Sequence, residues 1–97
     1  MNLEIIPLAQ RDIAEAAKHY RMQRPGLDDE FLAEVDESAA LIVTSPLLFE
    51  EVRSGIRRCL MNRFPYGIYY RLPDVDTVRI IIVRHHSRRP GFGMRRK

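Results

Sequence analysis

RFPYGIYYRL, residues 63–72, is the stretch on which the fold turns. Its alternation puts Tyr66, Ile68, Tyr70 and Leu72 on one face and Gly67, Tyr69 and Arg71 on the other, the period of a strand with one buried side. Pro65-Tyr66-Gly67 marks a bulge or tight turn after a preceding strand. Two similar runs flank it, IRRCLMN at 56–62 and TVRIIIVR at 77–84, with Pro73-Asp74-Val75-Asp76 as the turn before the latter. Three strands with short connections predict an antiparallel meander. Ile68, Tyr70, Ile80 and Ile82 are expected to face the core. Tyr69, Arg71, Arg79, Ile81, Val83 and His85 are expected on the opposite, open face, which is then both basic and apolar.

Upstream, NLEII at 2–6 is strand-like, and Pro7 suits the first turn of a helix. Ile13, Ala16, Ala17 and Tyr20 recur at helical spacing, with Arg11, Asp12, Glu15, Lys18 and Arg21 on the other side. Arg24-Pro25-Gly26 stops that helix. A second begins near Asp28, with Asp28, Asp29 and Glu30 at its positive end. It buries Phe31, Val35, Ala39 and Ile42, flanked by Leu32 and Leu41, and ends at Ser45-Pro46. The short link makes the two helices an antiparallel hairpin. Residues 47–55, LLFEEVRSG, read as an irregular connection. The expected fold is α+β, β-α-α-β-β-β: an antiparallel four-stranded sheet with an N-terminal helical hairpin on one face. Residues 1–86 form one domain, and residues 87–97 a basic tail expected to be mobile when unbound.

Composition narrows the class. A chain of 97 residues with 45% hydrophobic content suits a single folded domain. No run approaches the roughly 18 apolar residues of a membrane span, so no membrane association is expected. MNLEIIPLAQRD does not read as a secretory signal, because Glu4 interrupts its apolar run and no basic segment precedes it. With the single Cys59 read as a small buried hydrophobe, this points to the cytoplasm. Charge is segregated: residues 1–52 carry 4 Lys/Arg against 11 Asp/Glu, a net of −7, and residues 53–97 carry 12 against 2, a net of +10. Fourteen of the 16 cations are arginine, whose planar fork suits carboxylates and phosphates. The acidic stretch Asp28–Glu37 reads as a solvated helix face, or else as a contact for the arginines. His85 and His86 are adjacent on a strand and point to opposite faces, so they read as no metal pair, and no cofactor is expected. His19 reads as solvated.

The ordered set of these marks resembles the RelE/ParE superfamily, the toxins of type II toxin–antitoxin modules often labelled plasmid stabilization proteins. A first helix ends in Tyr20 to Leu27 (YRMQRPGL), and a second contains Phe31 to Val35 (FLAEV). Then follow a proline-containing loop from Pro46 to Gly55, the strand from Arg63 to Arg71, and a last strand running from Val83 into Arg88. The resemblance spans nearly the whole chain. It implies two helices packed on an antiparallel sheet, and a cognate antitoxin whose C-terminal segment wraps the toxin.

Two activities follow from the resemblance. A RelE-like protein grips messenger RNA on the ribosome and cleaves it with the 2′-hydroxyl as nucleophile. Here Arg63, Arg71, Arg79, His85 and His86 are the catalytic candidates for neutralising the phosphate and moving protons. A ParE-like protein is no enzyme; it binds DNA gyrase and traps it on cleaved DNA. The target- or antitoxin-binding surface in either case is Tyr69, Arg71, Arg79, Ile81, Val83, His85, Arg88 and Arg89. No lysine lies between Lys18 and Lys97, no tyrosine follows Tyr70, and Ser87 follows the histidine pair. These departures leave the nuclease set incomplete and favour the ParE-like reading. A nucleic-acid-binding module without toxicity is the third reading, resting on the basic half alone.

Overall fold

A computed structural model describes residues 1–97. The elements are β1 (Asn2–Ile5), α1 (Pro7–Gln23), α2 (Leu27–Thr44), β2 (Glu50–Arg53), β3 (Ile56–Leu60), β4 (Tyr66–Asp74) and β5 (Thr77–His85). All the strands join one sheet of five, in the order β1-β5-β4-β3-β2. The expected four-stranded antiparallel sheet is therefore corrected twice.

First, the stretch read as irregular contains an edge strand. EEVR has no apolar alternation to announce a strand. Its pairing supplies the reason: Glu50 lies opposite Arg58 and Glu51 opposite Arg57, giving ion pairs of 3.4 and 3.9 Å. Gly55, at φ 75°, closes the hairpin. Second, β1 pairs with β5 in parallel, Asn2 opposite Thr77 through Ile5 opposite Ile80. Successive reversals through the helical hairpin and the meander are even in number, so the first and last strands run the same way.

Both helices form where their apolar spacing predicts. Phe31, Val35, Ala39 and Ile42 of α2 are buried, as are Ala16 and Tyr20 of α1. They pack on Cys59, Tyr66, Ile68, Tyr70, Val78, Ile80 and Val83 of the sheet. Tyr20, Phe31, Phe64 and Tyr66 form an aromatic knot with ring centroids 4.8–6.0 Å apart. Glu34, in the stretch read as solvated, is instead buried. It accepts hydrogen bonds from the Asn62 amide at 2.6 Å and the Arg63 amide at 3.1 Å, fixing the β3–β4 loop to α2. Burial also pushes the Cys59 thiol up, in keeping with a packing role.

The register of β4 and β5 shifts twice, between Tyr69 and Tyr70 and again between Arg71 and Asp74 near the turn. Tyr69 lies opposite Ile82 and Tyr70 opposite Ile80, leaving Ile81 as the extra residue of a β-bulge. Parity then inverts. Ile80 faces the helices as expected, but Ile82, also expected there, joins Ile81 in a second cluster with Ile56, Tyr69 and Met94. Val83 and His85, expected on the open face, turn toward α1.

Nor is that second face open. The tail of residues 87–97, expected to be mobile when unbound, lies folded across it, with Met94 buried and Phe92 half-buried. Burying one methionine is worth about 1.5–3 kcal/mol. Ordering even three residues at about 1–2 kcal/mol each offsets that, so polar contacts must hold the tail as well. Gly93 sits directly on Ile82: its φ is 76°, and a Cβ there would lie 2.8 Å from the Ile82 side chain.

Gly93→Ala is accordingly expected to lower stability by about 1–3 kcal/mol. Urea denaturation measures the loss, and amide exchange should show it concentrated in the tail. A second expectation concerns pH. The Tyr70 hydroxyl donates to the Pro46 carbonyl at 2.5 Å, and burial pushes its pKa up to about 12. In the unfolded chain it ionises near 10.0, so between those values the unfolded state holds fewer protons and stability falls as pH rises. Burial also raises Tyr20 and Tyr66. Tyr70→Phe should therefore flatten the alkaline slope in part while losing about 1 kcal/mol at neutral pH, read by denaturant melts across a pH series.

Candidate functional site

β5 loses its parallel neighbour where β1 ends and α1 begins, and a new set of partners takes over there. The Val83 amide donates to Asp12 Oδ2 at 3.1 Å, and Arg96 Nη1 donates to the Ile81 carbonyl at 2.9 Å. Arg96 also grips Asp12 with both nitrogens, at 2.6 and 3.3 Å. The pair is largely shielded from solvent, with side-chain exposures of 14% for Arg96 and 9% for Asp12. A shielded, two-pronged pair of this kind is far stronger than a surface ion pair, because solvent screens it little.

Three other arginines of the sheet turn their donors to the backbone of the tail. Arg84, buried by the bulge's inversion, lies 4.4 Å over the Tyr69 ring and donates to the carbonyls of Arg89, Pro90 and Phe92 at 2.9–3.3 Å. Arg71 donates to the Arg96 carbonyl at 3.2 Å, and Arg79 to the backbone oxygen of Lys97 at 3.1 Å. Arg79 also pairs with Glu4 at 2.7 Å, which raises its pKa further.

The other feature of the region is a cleft of about 390 Å³ between α1 and the end of β5. Asp12, Glu15, His19, Tyr66, Arg84, His85 and Arg88 line it. Tyr66 and His85 meet edge to face at 5.3 Å, and burial raises the Tyr66 hydroxyl. His19, read from the sequence as solvated, is exposed but belongs to this wall, where its Nε2 lies 2.8 Å from the Gln23 amide. No group of three His, Cys, Asp or Glu side chains converges as metal ligands do.

The five nuclease candidates do not meet in one place. Arg63 lies on the β3–β4 loop and binds Glu30 of α2 at 2.5 Å. That bond, with a second from Arg24, holds the Glu30 carboxyl below its usual range. Arg71 and Arg79 bind the tail. His85 faces the α1 cleft, while exposed His86 lies in a different hollow with Arg58, Tyr69 and Pro90. Of the proposed binding surface, Tyr69 and Ile81 are covered by the tail, Val83 is in the helix-side core, and Arg88 and Arg89 are exposed. Sequence reasoning missed Asp12, Arg84 and Arg96. Arg84 carried a legible signal, a cation directly after the apolar run Ile80–Val83; Asp12 and Arg96 carried none, because their partnership joins opposite ends of the chain.

This arrangement of a helical hairpin on an N-terminally augmented meander is a known one. A solved structure of a chromosomal ParDE TA system from P. aeruginosa superposes with a TM-score of 0.76 at 17% identity, covering 88% of this chain and 95% of that one. At that identity the likeness establishes the fold. The sequence family described as the ParE toxin of the type II toxin–antitoxin system, parDE, matches residues 3–90. The chain belongs to the ParE toxin family. No curated protein matches it. No helix is long and apolar enough to cross a membrane.

Arg96→Met should cost about 3 kcal/mol by leaving the Asp12 carboxylate shielded without its cation. Asp12→Asn, which keeps an acceptor for the Val83 amide, should cost less. Chemical denaturation of the two variants measures the difference, and equal losses would mean that the ion pair matters no more than the amide contact.

Proposed function

We propose that the chain is a toxin held inactive by a cognate antitoxin in the cytoplasm, and that it acts as an inhibitor of DNA gyrase rather than as a ribonuclease. The observation that carries this reading is the dispersal of Arg63, Arg71, Arg79, His85 and His86. Cleavage of RNA needs proton-transfer groups and a phosphate clamp within hydrogen-bond reach of one scissile bond. Here the arginines are engaged elsewhere and the two histidines line different hollows. RelE-like cleavage of ribosome-bound mRNA is the alternative, resting on the α1 cleft, where His85 lies with Glu15, His19 and Arg88.

Two features suit an antitoxin. β2 is an edge strand whose outer side is unpaired, open to the addition of a strand. The other is a mostly apolar hollow lined by Met1, Pro46, Leu47, Leu72, Asp74 and Val75. Leu47 and Leu48 are each 70% exposed and Val75 is 88% exposed, an apolar surface of the kind a partner covers. Within the target-binding surface, Arg71, Arg79, His85, Arg88 and Arg89 are the groups a partner reaches with the tail in place, and Tyr69 and Ile81 only with the tail lifted.

The test is induced expression with DNA and protein synthesis followed separately, together with a supercoiling assay on purified gyrase. The proposal expects early arrest of DNA synthesis, an SOS response, and relief on co-expression of a cognate antitoxin. Early loss of protein synthesis with cut mRNA would select the nuclease reading. No effect on either would leave a binding module.

A further inference from the structure

The folded tail creates a second concavity, of about 580 Å³, on the sheet face away from the helices. Its charged lining is entirely arginine: Arg53 from β2, and Arg89, Arg95 and Arg96 from the tail, set around Gly91, Gly93 and Met94. No carboxylate lines it. Arg96 is committed to Asp12. Arg53, Arg89 and Arg95 are exposed and take part in none of the ion pairs.

From this arrangement we infer that the tail concavity is a binding site for a nucleic-acid phosphodiester backbone, read without base specificity. Like charges gathered from separate elements repel, so their convergence is favourable only where an anion neutralises them. Guanidinium forks match phosphate oxygens in two-point contacts. The floor is mainly glycine, which lets a backbone approach closely. The hollow is open and nearly devoid of apolar side chains, unlike the enclosed apolar pockets that hold small ligands. Base stacking has no platform here: no aromatic side chain lines the hollow, and Phe92 nearby has the Arg88 and Arg96 guanidiniums 4.7 and 5.2 Å from its ring. The same Gly93 that seats the tail on Ile82 thus brings Arg89 and Arg95 to face Arg53.

The inference does not depend on gyrase, and its test omits it. Fluorescence anisotropy of the purified chain with labelled duplex DNA and with single-stranded RNA, across a salt series, measures affinity and salt slope. The probes are compared with the Arg53→Glu, Arg89→Glu, Arg95→Glu triple variant. The control is Arg11→Glu, Lys18→Glu, Arg21→Glu, which makes the same change in net charge on exposed positions of α1. The tail triple should bind at least about tenfold more weakly than the control. Its salt slope should fall by about 0.9 for each duplex phosphate it no longer neutralises, or about 0.7 on single strands. The milder Arg53→Gln, Arg95→Gln pair should fall between, and thermal melts of all variants confirm folding. Binding of both probes, or of one, assigns the backbone source. Equal losses in the two triples would reduce the effect to net charge and overturn the site. So would the absence of binding by the unaltered chain, or tighter binding of poly-glutamate than of either nucleic acid.

Discussion

The edge of β5 beyond Ile80 is the constraint around which the molecule is arranged. β1 can follow β5 only as far as Ile5, because Pro7 begins a helix and offers no amide to a ladder. The backbone of β5 continues to His85 with that side bare. An unpaired edge in the interior is unfavourable, and the chain resolves it with Asp12 from its first helix and Arg96 from its last residues. The bulge at Ile81 lies at the same point and inverts the parity of all that follows. Arg84 is thereby placed beneath the tail, and His85 beside α1.

The segregation of charge in the sequence acquires a meaning in the fold. Five of the six ion pairs join a carboxylate of the acidic half to an arginine of the basic half: Asp12–Arg96, Glu4–Arg79, Glu30–Arg63, Glu50–Arg58 and Glu51–Arg57. The exposed pairs are each worth about 0–1 kcal/mol, too little to hold the fold. Their effect lies in register, since each favours one pairing of distant segments over its slipped alternatives. The shielded Asp12–Arg96 pair differs in kind, because it also satisfies the free edge of β5. The arginines of the basic half left outside these pairs, Arg53, Arg71, Arg84, Arg88, Arg89 and Arg95, lie in the tail or against it.

The tail closes the second face and so sets what this fold presents to a partner. Tyr69 of β4 and Ile81 of β5, which alternation assigns to an exposed face, become part of a second small core with Ile56, Ile82 and Met94. What solvent reaches instead is a cleft beside α1, an apolar hollow near Leu47 and Val75, and the arginine-lined concavity. Each has its own chemistry, so the three surfaces need not serve one partner.

Much of this was written into local sequence. The two helices and their buried stripe, Phe31, Val35, Ala39 and Ile42, followed from a spacing that depends only on the geometry of a single helix. The three meander strands followed from alternation in the same way, and family membership from motifs in order. β2 escaped notice because its strand character lies in the arginines opposite Glu50 and Glu51 rather than in its own residues. The bulge at Ile81 was hidden for a similar reason, since TVRIIIVR is apolar enough to fit either parity and only pairing with β4 and the loss of β1 choose between them. The docking of the tail, and with it the fate of Tyr69, Arg71, Arg79 and Arg84, was decided by contacts between the two ends of the chain. Sequence alone determined what each segment prefers by itself. Tertiary structure decided which faces meet, because hydrogen-bond satisfaction at an edge is a property of neighbours that no single segment contains.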